Sequence, residues 1–351
     1  MTLLDKDINT EYTENRENLN LKIKILNKSN FPNDFDDFKS KIVQINNWKV
    51  NLFTSGTTGN PKKITHNYES ITRFVKRSNR HSNDIWGLAY NPTHIAGLQV
   101  IMQALLNGNS MIRLFELSKH KVYEQISKYN ISHISATPTF YRLILPTNKK
   151  YRLVKKISSG GEAFTQQIKR FINDVFPNAD IYNIYASTEA GTLFAADGEF
   201  FTIKDHMKKF IKIISSEIAI HKSLIGETDS KINEWYKTGD LVEIINNNPL
   251  KFKIISRKTS IINIAGLNVN PNEVESVIKS IKGISEALVY PKQNNVTGNI
   301  LCCDLKVNNK IISELEIRKI LINKLPKYKI PIIFNFVNKM KLTRTGKLSR
   351  I

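Results

Sequence analysis

Residues 54 to 63 read Thr54-Ser55-Gly56-Thr57-Thr58-Gly59-Asn60-Pro61-Lys62-Lys63, hydroxyls, glycines and lysines with no core-forming side chain. Two glycines let the backbone turn its N–H groups inward, and hydroxyls and a lysine add donors. Such a set is suited to holding phosphate. It is not a Walker A loop: Pro61 stands where that pattern needs its second glycine, and no Gly-Lys-Ser/Thr follows. Taken alone, the stretch also reads as a plain Gly/Thr turn.

These residues need elements to hold them. Val50 to Phe53 reads as a strand ahead of the turn, and Tyr68 to Lys76 as a helix behind it. Phe35, Phe38, Ile42 and Ile45 recur at spacings of three and four, which predicts an amphipathic helix over 34–45. From 50 to 187 strands and helices alternate. The strands are 84–90, 110–115, 132–136, 151–157 and 180–185; the helices are 94–106, 118–129 and 164–176, the last with Ile168, Phe171, Ile172 and Val175 inward. Repeated βα units imply a parallel sheet. Ligands of such sheets sit at the carboxyl ends of strands, here the loops 54–62, 91–94, 158–162 and 186–191. From 193 to 256 short strands predict a smaller β-rich part. Residues 258–351 have their own α+β alternation and end in a glycine-containing polar loop, 342–350.

The fold class expected is therefore α/β. A large N-terminal domain (1–257) has a parallel βαβ sheet plus a small β-rich subdomain, and a small α+β C-terminal domain (258–351) follows. With 351 residues the chain can form two real cores. Its net charge of +21 comes from lysines scattered through every element, not from a basic stripe interleaved with aromatics. That argues for anionic small ligands and against nucleic acid. No apolar run reaches membrane-spanning length, so no membrane is expected. Cys302 and Cys303 are adjacent and cannot staple the fold. With no Cys/His cluster in the sequence, they argue for a reducing cytoplasm and against zinc.

Taken in order, the motifs resemble the adenylate-forming superfamily, and are closest in flavour to acyl- and aryl-CoA ligases such as o-succinylbenzoate-CoA ligase. The stretch 54–62 looks like the family's phosphate loop. Tyr185-Ala186-Ser187-Thr188-Glu189 is similar to its aromatic-Gly-x-Thr-Glu motif, and Thr238-Gly239-Asp240 to its ribose-binding signature. Ser256-Arg257 with 266–275 looks like the hinge and the start of the mobile domain. Thr343-Arg344-Thr345-Gly346-Lys347 resembles the catalytic-lysine loop. Thr93-His94-Ile95-Ala96-Gly97 and Gly160-Gly161-Glu162-Ala163 are softer matches. Lys63, Ala186 and Ser256 stand where glycines are usual, and Asn263 where a lysine is common. Only 53 residues precede Thr54, so the N-terminal subdomain is expected to be short, and the sheet edge this leaves is the expected surface for a homodimer.

The resemblance implies a two-step reaction. A small carboxylic acid is activated by ATP as acyl-AMP with release of pyrophosphate, and the acyl group then passes to a thiol, CoA. The alternatives are loading of phosphopantetheine on an acidic acyl carrier protein or amide formation, and a non-catalytic nucleotide-binding relative. ATP and Mg²⁺ are the implied cofactors. Lys347 would bond the substrate carboxylate and ribose-side oxygens. Thr54, Ser55, Gly56, Thr57, Thr58, Gly59 and Lys62 would cradle the β- and γ-phosphates. Thr188 would bind the α-phosphate and Glu189 would hold Mg²⁺. Tyr185 would stack on adenine, and Gly161, Glu162 and Ala163 would form the floor between adenine and acid. Asp240 would accept the ribose hydroxyls, Arg257 would contact ribose or phosphate, His94 would line the acid or thiol site, and Lys258 would be the hinge.

Overall fold

The computed structural model describes residues 49–348, apart from 55–61, 79–80, 82, 92–93, 146, 230, 265, 295–297, 308–311 and 342–347. The helix expected over 34–45 and, Leu348 apart, the terminal loop over 342–350 fall outside the described residues.

In chain order the first elements are β1 (Lys49–Thr54), β2 (Lys62–Asn67), α1 (Tyr68–Thr72), β3 (Ile85–Leu88), α2 (Ile95–Leu105), β4 (Ser110–Arg113), α3 (Lys119–Lys128), β5 (His133–Ala136), α4 (Pro138–Ile144), β6 (Lys156–Gly160), α5 (Gln166–Val175), β7 (Asp180–Ser187) and β8 (Gly191–Ala196). Six strands form one sheet in the order β4-β3-β5-β6-β7-β8. It is parallel throughout except for β8, which runs antiparallel to β7. The parallel βαβ sheet expected from the alternation is present.

Period-two alternation places helices on both faces. On β4, Met111 joins Leu88, Val100 and Ile101 on the α2 side, while its neighbour Ile112 joins Val122, Ile126, Ile134 and Ile157 on the side of α3, α4 and α5. On α5, Ile168, Ile172 and Val175 make the buried stripe, and Thr165 caps the first turn through the amide of Ile168. Fully burying one such aliphatic side chain is worth roughly 1.5–3 kcal/mol. Phe171, expected inward, is exposed: it lies one position off that stripe, and the helix narrows its apolar face to three residues.

Two further expectations are corrected, and one helix is added. The stretch 54–62 is not a crossover of the parallel sheet. It joins β1 to β2, an antiparallel pair with Leu52 opposite Ile64, to which β12 (Glu227–Thr228) adds a third strand. Alternation at Ile64 and His66 makes 62–67 a strand, with those two side chains buried. The strand expected over 151–157 begins only at Lys156, because Tyr151 turns aside to stack on Tyr123 and Arg152-Leu153 form a turn. Pro138 ends β5 as expected but also opens α4, where Thr137 caps the helix through Phe140 N.

The second half continues with β9 (Phe200–Thr202), β10 (Ile211–Ile214), β11 (Glu217–His221), β12, β13 (Trp235–Asn247) and β14 (Leu250–Arg257). Five of these make a sheet in the order β10-β11-β13-β14-β9, the β-rich part expected from the short strands. The last elements are β15 (Ile262–Ile264), β16 (Leu267–Val269), α6 (Pro271–Lys279), β17 (Ile284–Asn294), β18 (Gly298–Val307), α7 (Glu314–Ile322) and β19 (Ile333–Phe336). Strands β17, β18 and β19 form a sheet, and Val274 and Ile278 of α6 and Ile317 and Leu321 of α7 share its core. Pro271 at the first turn of α6, and a capping box between Ser313 and Glu316 on α7, fix the two helix starts.

The chain divides into two compact units. The first comprises residues 1–212, 219–236 and 247–251, and the second 213–218, 237–246 and 252–351. Among the described residues no helix is long and apolar enough to cross a membrane.

Candidate active site

In the first unit, chemistry-bearing residues gather where β7 ends. The strand alternates, burying Ile181, Asn183, Tyr185 and Ser187. It stops because Ser187 Oγ accepts the Ala190 amide at 3.2 Å, which turns the chain. Gly191 then starts β8 at φ +72°, where a side chain would also meet the Gln99 amide. Thr188 and Glu189 are the corner of this turn. Ser187 belongs to the strand rather than to the loop expected from 186.

The corner is held from three directions. His66 Nε2 lies 2.7 Å from the Thr188 carbonyl. A carbonyl only accepts, so Nε2 carries the proton, and Nδ1 faces Ser70 Oγ at 3.1 Å. The His66 ring is 1% exposed. Burial pushes its pKa below the ordinary histidine value, the Thr188 carbonyl pulls it back up, Arg73 lowers it, and Glu189 raises it. The Gly226 amide donates to the Glu189 carbonyl at 2.8 Å. A Cβ at Gly226 would come within 2.8 Å of Ile64 Cγ2 and Thr65 O, so only glycine lets this segment lie against β2. Finally, Tyr236 Oη donates to Glu189 Oε1 at 2.9 Å, which orients a carboxylate that is nearly buried. His66, Gly226 and Tyr236 were not singled out in the sequence. The alternation Ile64, His66 on β2 was the signal for His66.

Next to β7, β6 leads into Gly160-Gly161-Glu162-Ala163, and Gly160 pairs with Ile184. A Cβ on Gly160 would lie 2.7 Å from Ile184 O, so glycine is required for the strands to approach. Gly161 takes φ +83° and, like Ala163, is exposed. Glu162 faces α4: its Oε2 accepts Thr139 N at 2.9 Å, its Oε1 accepts Thr139 Oγ1 at 3.0 Å, and Arg142 Nη2 lies 3.5 Å away. Ser159 Oγ is fully buried and has no hydrogen-bond partner among the described residues. The Tyr185 ring is buried against Phe194 at 5.6 Å and Phe201 at 6.3 Å. His94 is the residue before α2, its amide bonded to Asn91 O at 3.2 Å. Lys62 opens β2 and is exposed. Thr54 ends β1. Ser55, Gly56, Thr57, Thr58, Gly59 and Lys347 lie outside the described residues.

The second unit holds another group. Thr238-Gly239-Asp240 lies inside β13 rather than in a loop between strands. Gly239 takes φ +79°, its amide donates to the buried Glu217 at 2.7 Å, and Thr238 Oγ1 bonds Ile218 O at 2.9 Å. This kink turns Asp240 toward Arg257, whose Nε lies 3.3 Å from Asp240 Oδ1. Lys258 follows at once and begins a short 3-10 turn over 258–260.

The structure thus pairs Asp240 with Arg257, joins Thr188 and Glu189 in one pinned corner, and sets the 160–163 stretch on the strand beside Tyr185. In chemical terms the corner offers a hydroxyl and a hard carboxylate at a strand end, and the kink offers a carboxylate steadied by a guanidinium.

Known proteins carry the same frame. The chain is 24% identical over 327 residues to 2-succinylbenzoate–CoA ligase of Staphylococcus epidermidis, covering 85% of this chain and 68% of that one. It is 25% identical to a putative long chain fatty acid-CoA ligase of the same species, covering 85% and 69%. Among solved structures, o-succinylbenzoate CoA synthetase from Bacillus subtilis with an acyl-adenylate intermediate superposes with a TM-score of 0.66 at 22% identity, covering 86% of this chain and 68% of that one, and it has also been solved with ATP and magnesium ion. The model of the AMP-binding enzyme family matches residues 5–212, and that of the AMP-binding enzyme C-terminal domain matches 273–347. With more than half of its length inside the first of these, and the motif-bearing strands β6 and β7 among the residues matched, the chain belongs to the AMP-binding enzyme family.

Proposed function

We propose that the chain activates a small carboxylic acid with ATP and passes the acyl group to the thiol of CoA. In the first step a carboxylate oxygen attacks the α-phosphorus, the bond to the bridging oxygen breaks, and pyrophosphate leaves. In the second the thiolate attacks the acyl carbon and AMP leaves. Both steps gather negative charge on oxygen, so fixed donors aimed at those oxygens carry the catalysis. The observation that supports this reading most is the Thr188–Glu189 corner, pinned by His66, Gly226 and Tyr236 at the carboxyl end of a parallel strand.

In this reading the Thr188 hydroxyl binds the α-phosphate. Thr54, Ser55, Gly56, Thr57, Thr58, Gly59 and Lys62 hold the leaving pyrophosphate. Tyr185 and the Gly161–Ala163 stretch border the adenine, Asp240 takes the ribose hydroxyls beside Arg257, His94 lines the acid side, and Lys347 bonds the acid carboxylate. Lys258 pivots the part of the chain from 258 onward between the two steps. Glu189 fits a magnesium ion: it is a hard oxygen donor, Tyr236 uses one of its lone pairs, and Mg²⁺ is ordinarily held by one or two carboxylates plus substrate phosphates. Bound there, the ion would neutralise phosphate charge. His66 acts by position, fixing the backbone from which Thr188 and Glu189 project.

Acid-dependent exchange of labelled pyrophosphate into ATP tests the first step. Adding CoA or a carrier protein bearing a free phosphopantetheine thiol then tells the acceptor. Release of acyl-CoA supports the reading, and transfer only to the carrier protein selects the alternative acceptor.

A further inference from the structure

Away from the strand ends just described, the sheet carries a second cluster of ligating side chains. Asp84 immediately precedes β3 and His133 opens β5, the neighbouring parallel strand, so both lie at the amino ends of strands. That is the opposite edge from the Thr188–Glu189 corner. His81 sits three residues before Asp84, its carbonyl accepting both the Asp84 amide at 3.1 Å and the side-chain amide of Asn109. Asn109 in turn accepts the Trp86 indole N–H at 3.2 Å, which ties the His81 segment to β3.

One ligand atom from each of the three side chains falls within 4.8 Å of the others. His81 Nδ1 is 2.9 Å and His133 Nε2 is 3.4 Å from the same oxygen, Asp84 Oδ2. Nitrogen and oxygen ligands bonded at about 2.0–2.1 Å to a tetrahedral ion stand about 3.3 Å apart. The 3.4 Å edge already matches that spacing, the 2.9 Å edge is a hydrogen-bonded contact that opens by about 0.4 Å to admit an ion, and the third closes by a movement of the partly exposed His81.

The surroundings suit a bound ion. His133 is nearly buried, and its other nitrogen, Nδ1, lies 2.9 Å from Ser132 Oγ. A ligating imidazole ordinarily has its second nitrogen fixed by such a partner. The Trp86 ring, 4.8 Å from the His133 ring, covers one side. Lys156, the register partner of His133, has its ammonium over the Tyr182 ring at 5.2 Å. The His81 side chain is 33% exposed, so solvent reaches the cluster, from which a water would complete four-coordination.

We propose that His81, Asp84 and His133 form a binding site for a divalent transition-metal ion of the zinc or cobalt class, which clasps the segment before β3 to β5. Two imidazoles and one carboxylate favour such ions over magnesium, which takes oxygen ligands. Sequence spacing hides the site, because His133 is distant from the other two until the sheet forms.

The test uses the full chain, freed of metal by a chelator and titrated with Co²⁺ and with Zn²⁺ in the presence of excess Mg²⁺. The expected result is uptake of one equivalent with a tetrahedral Co²⁺ absorption signature and a rise in Tm with Zn²⁺. His81→Ala and Asp84→Asn should each weaken binding about tenfold or more, while His120→Ala, at an exposed histidine elsewhere, leaves it unchanged. If Asp84→Asn does not fold, His81→Ala decides alone, since its side chain is partly exposed. Failure of the unaltered chain to take up one saturable equivalent, or equal affinity in His81→Ala, overturns the proposal.

Discussion

His66 is a buried imidazole whose one fixed proton points at the Thr188 carbonyl. Replacing it with alanine leaves that carbonyl without a donor, a loss of about 1–3 kcal/mol for a buried group. The Thr188–Glu189 corner should then relax. His66→Ala is expected to lower kcat for pyrophosphate exchange about tenfold or more, with little change in the KM for ATP. His66→Gln, whose amide can reach the same carbonyl, should restore most of it; equal loss in both variants would mean that His66 only fills space. Tyr236→Phe removes the hydrogen bond to Glu189 and should raise the magnesium concentration needed for half-maximal exchange. At this scale the sequence was partly legible. Thr188, Glu189, Asp240 and Arg257 could be named from their motifs. Their supports could not, because His66 and Tyr236 meet the corner only through pairings about 120 and 50 residues apart.

Among the elements, α4 illustrates what local pattern misses. Pro138 reads as a strand end, and it is one, but it also suits the first turn of a helix. Glu162 accepts from Thr139 at the start of that helix, where a carboxylate is favoured. Glu162→Ala is therefore expected to cost about 1–3 kcal/mol in denaturant unfolding. Gly160→Ala should also destabilise, because its Cβ would lie 2.7 Å from Ile184 O and force β6 from β7; an unchanged unfolding midpoint would contradict that packing. The alternation of strands and helices was legible from 84 to 187 because each buried face keeps its period. The hairpin of β1 and β2 was not, since a turn rich in Gly and Thr has the same look between antiparallel strands as between a strand and a crossover helix.

Over the whole molecule, two buried imidazoles set a pH limit. Burial pushes His133 down to about 4 and also lowers His66. Each is neutral when folded and takes up a proton more readily when unfolded, at the ordinary histidine pKa of about 6.5. The unfolded state therefore binds more protons between these values, and stability rises with pH across that window. In the metal-free chain, unfolding midpoints should fall as pH drops from about 6.5 toward 4, and the drop should be shallower in His133→Gln. The net charge of +21 fits anionic ligands on this scale, and the ordered motifs made the family legible before any strand was placed. Acid activation by ATP is measured by pyrophosphate exchange across a panel of acyl, aryl and amino acids. Exchange is expected with at least one acid, reduced roughly 10²–10³-fold by Lys347→Ala, as for loss of one aimed donor. No exchange with any acid, or exchange that survives Lys347→Ala undiminished, would contradict it.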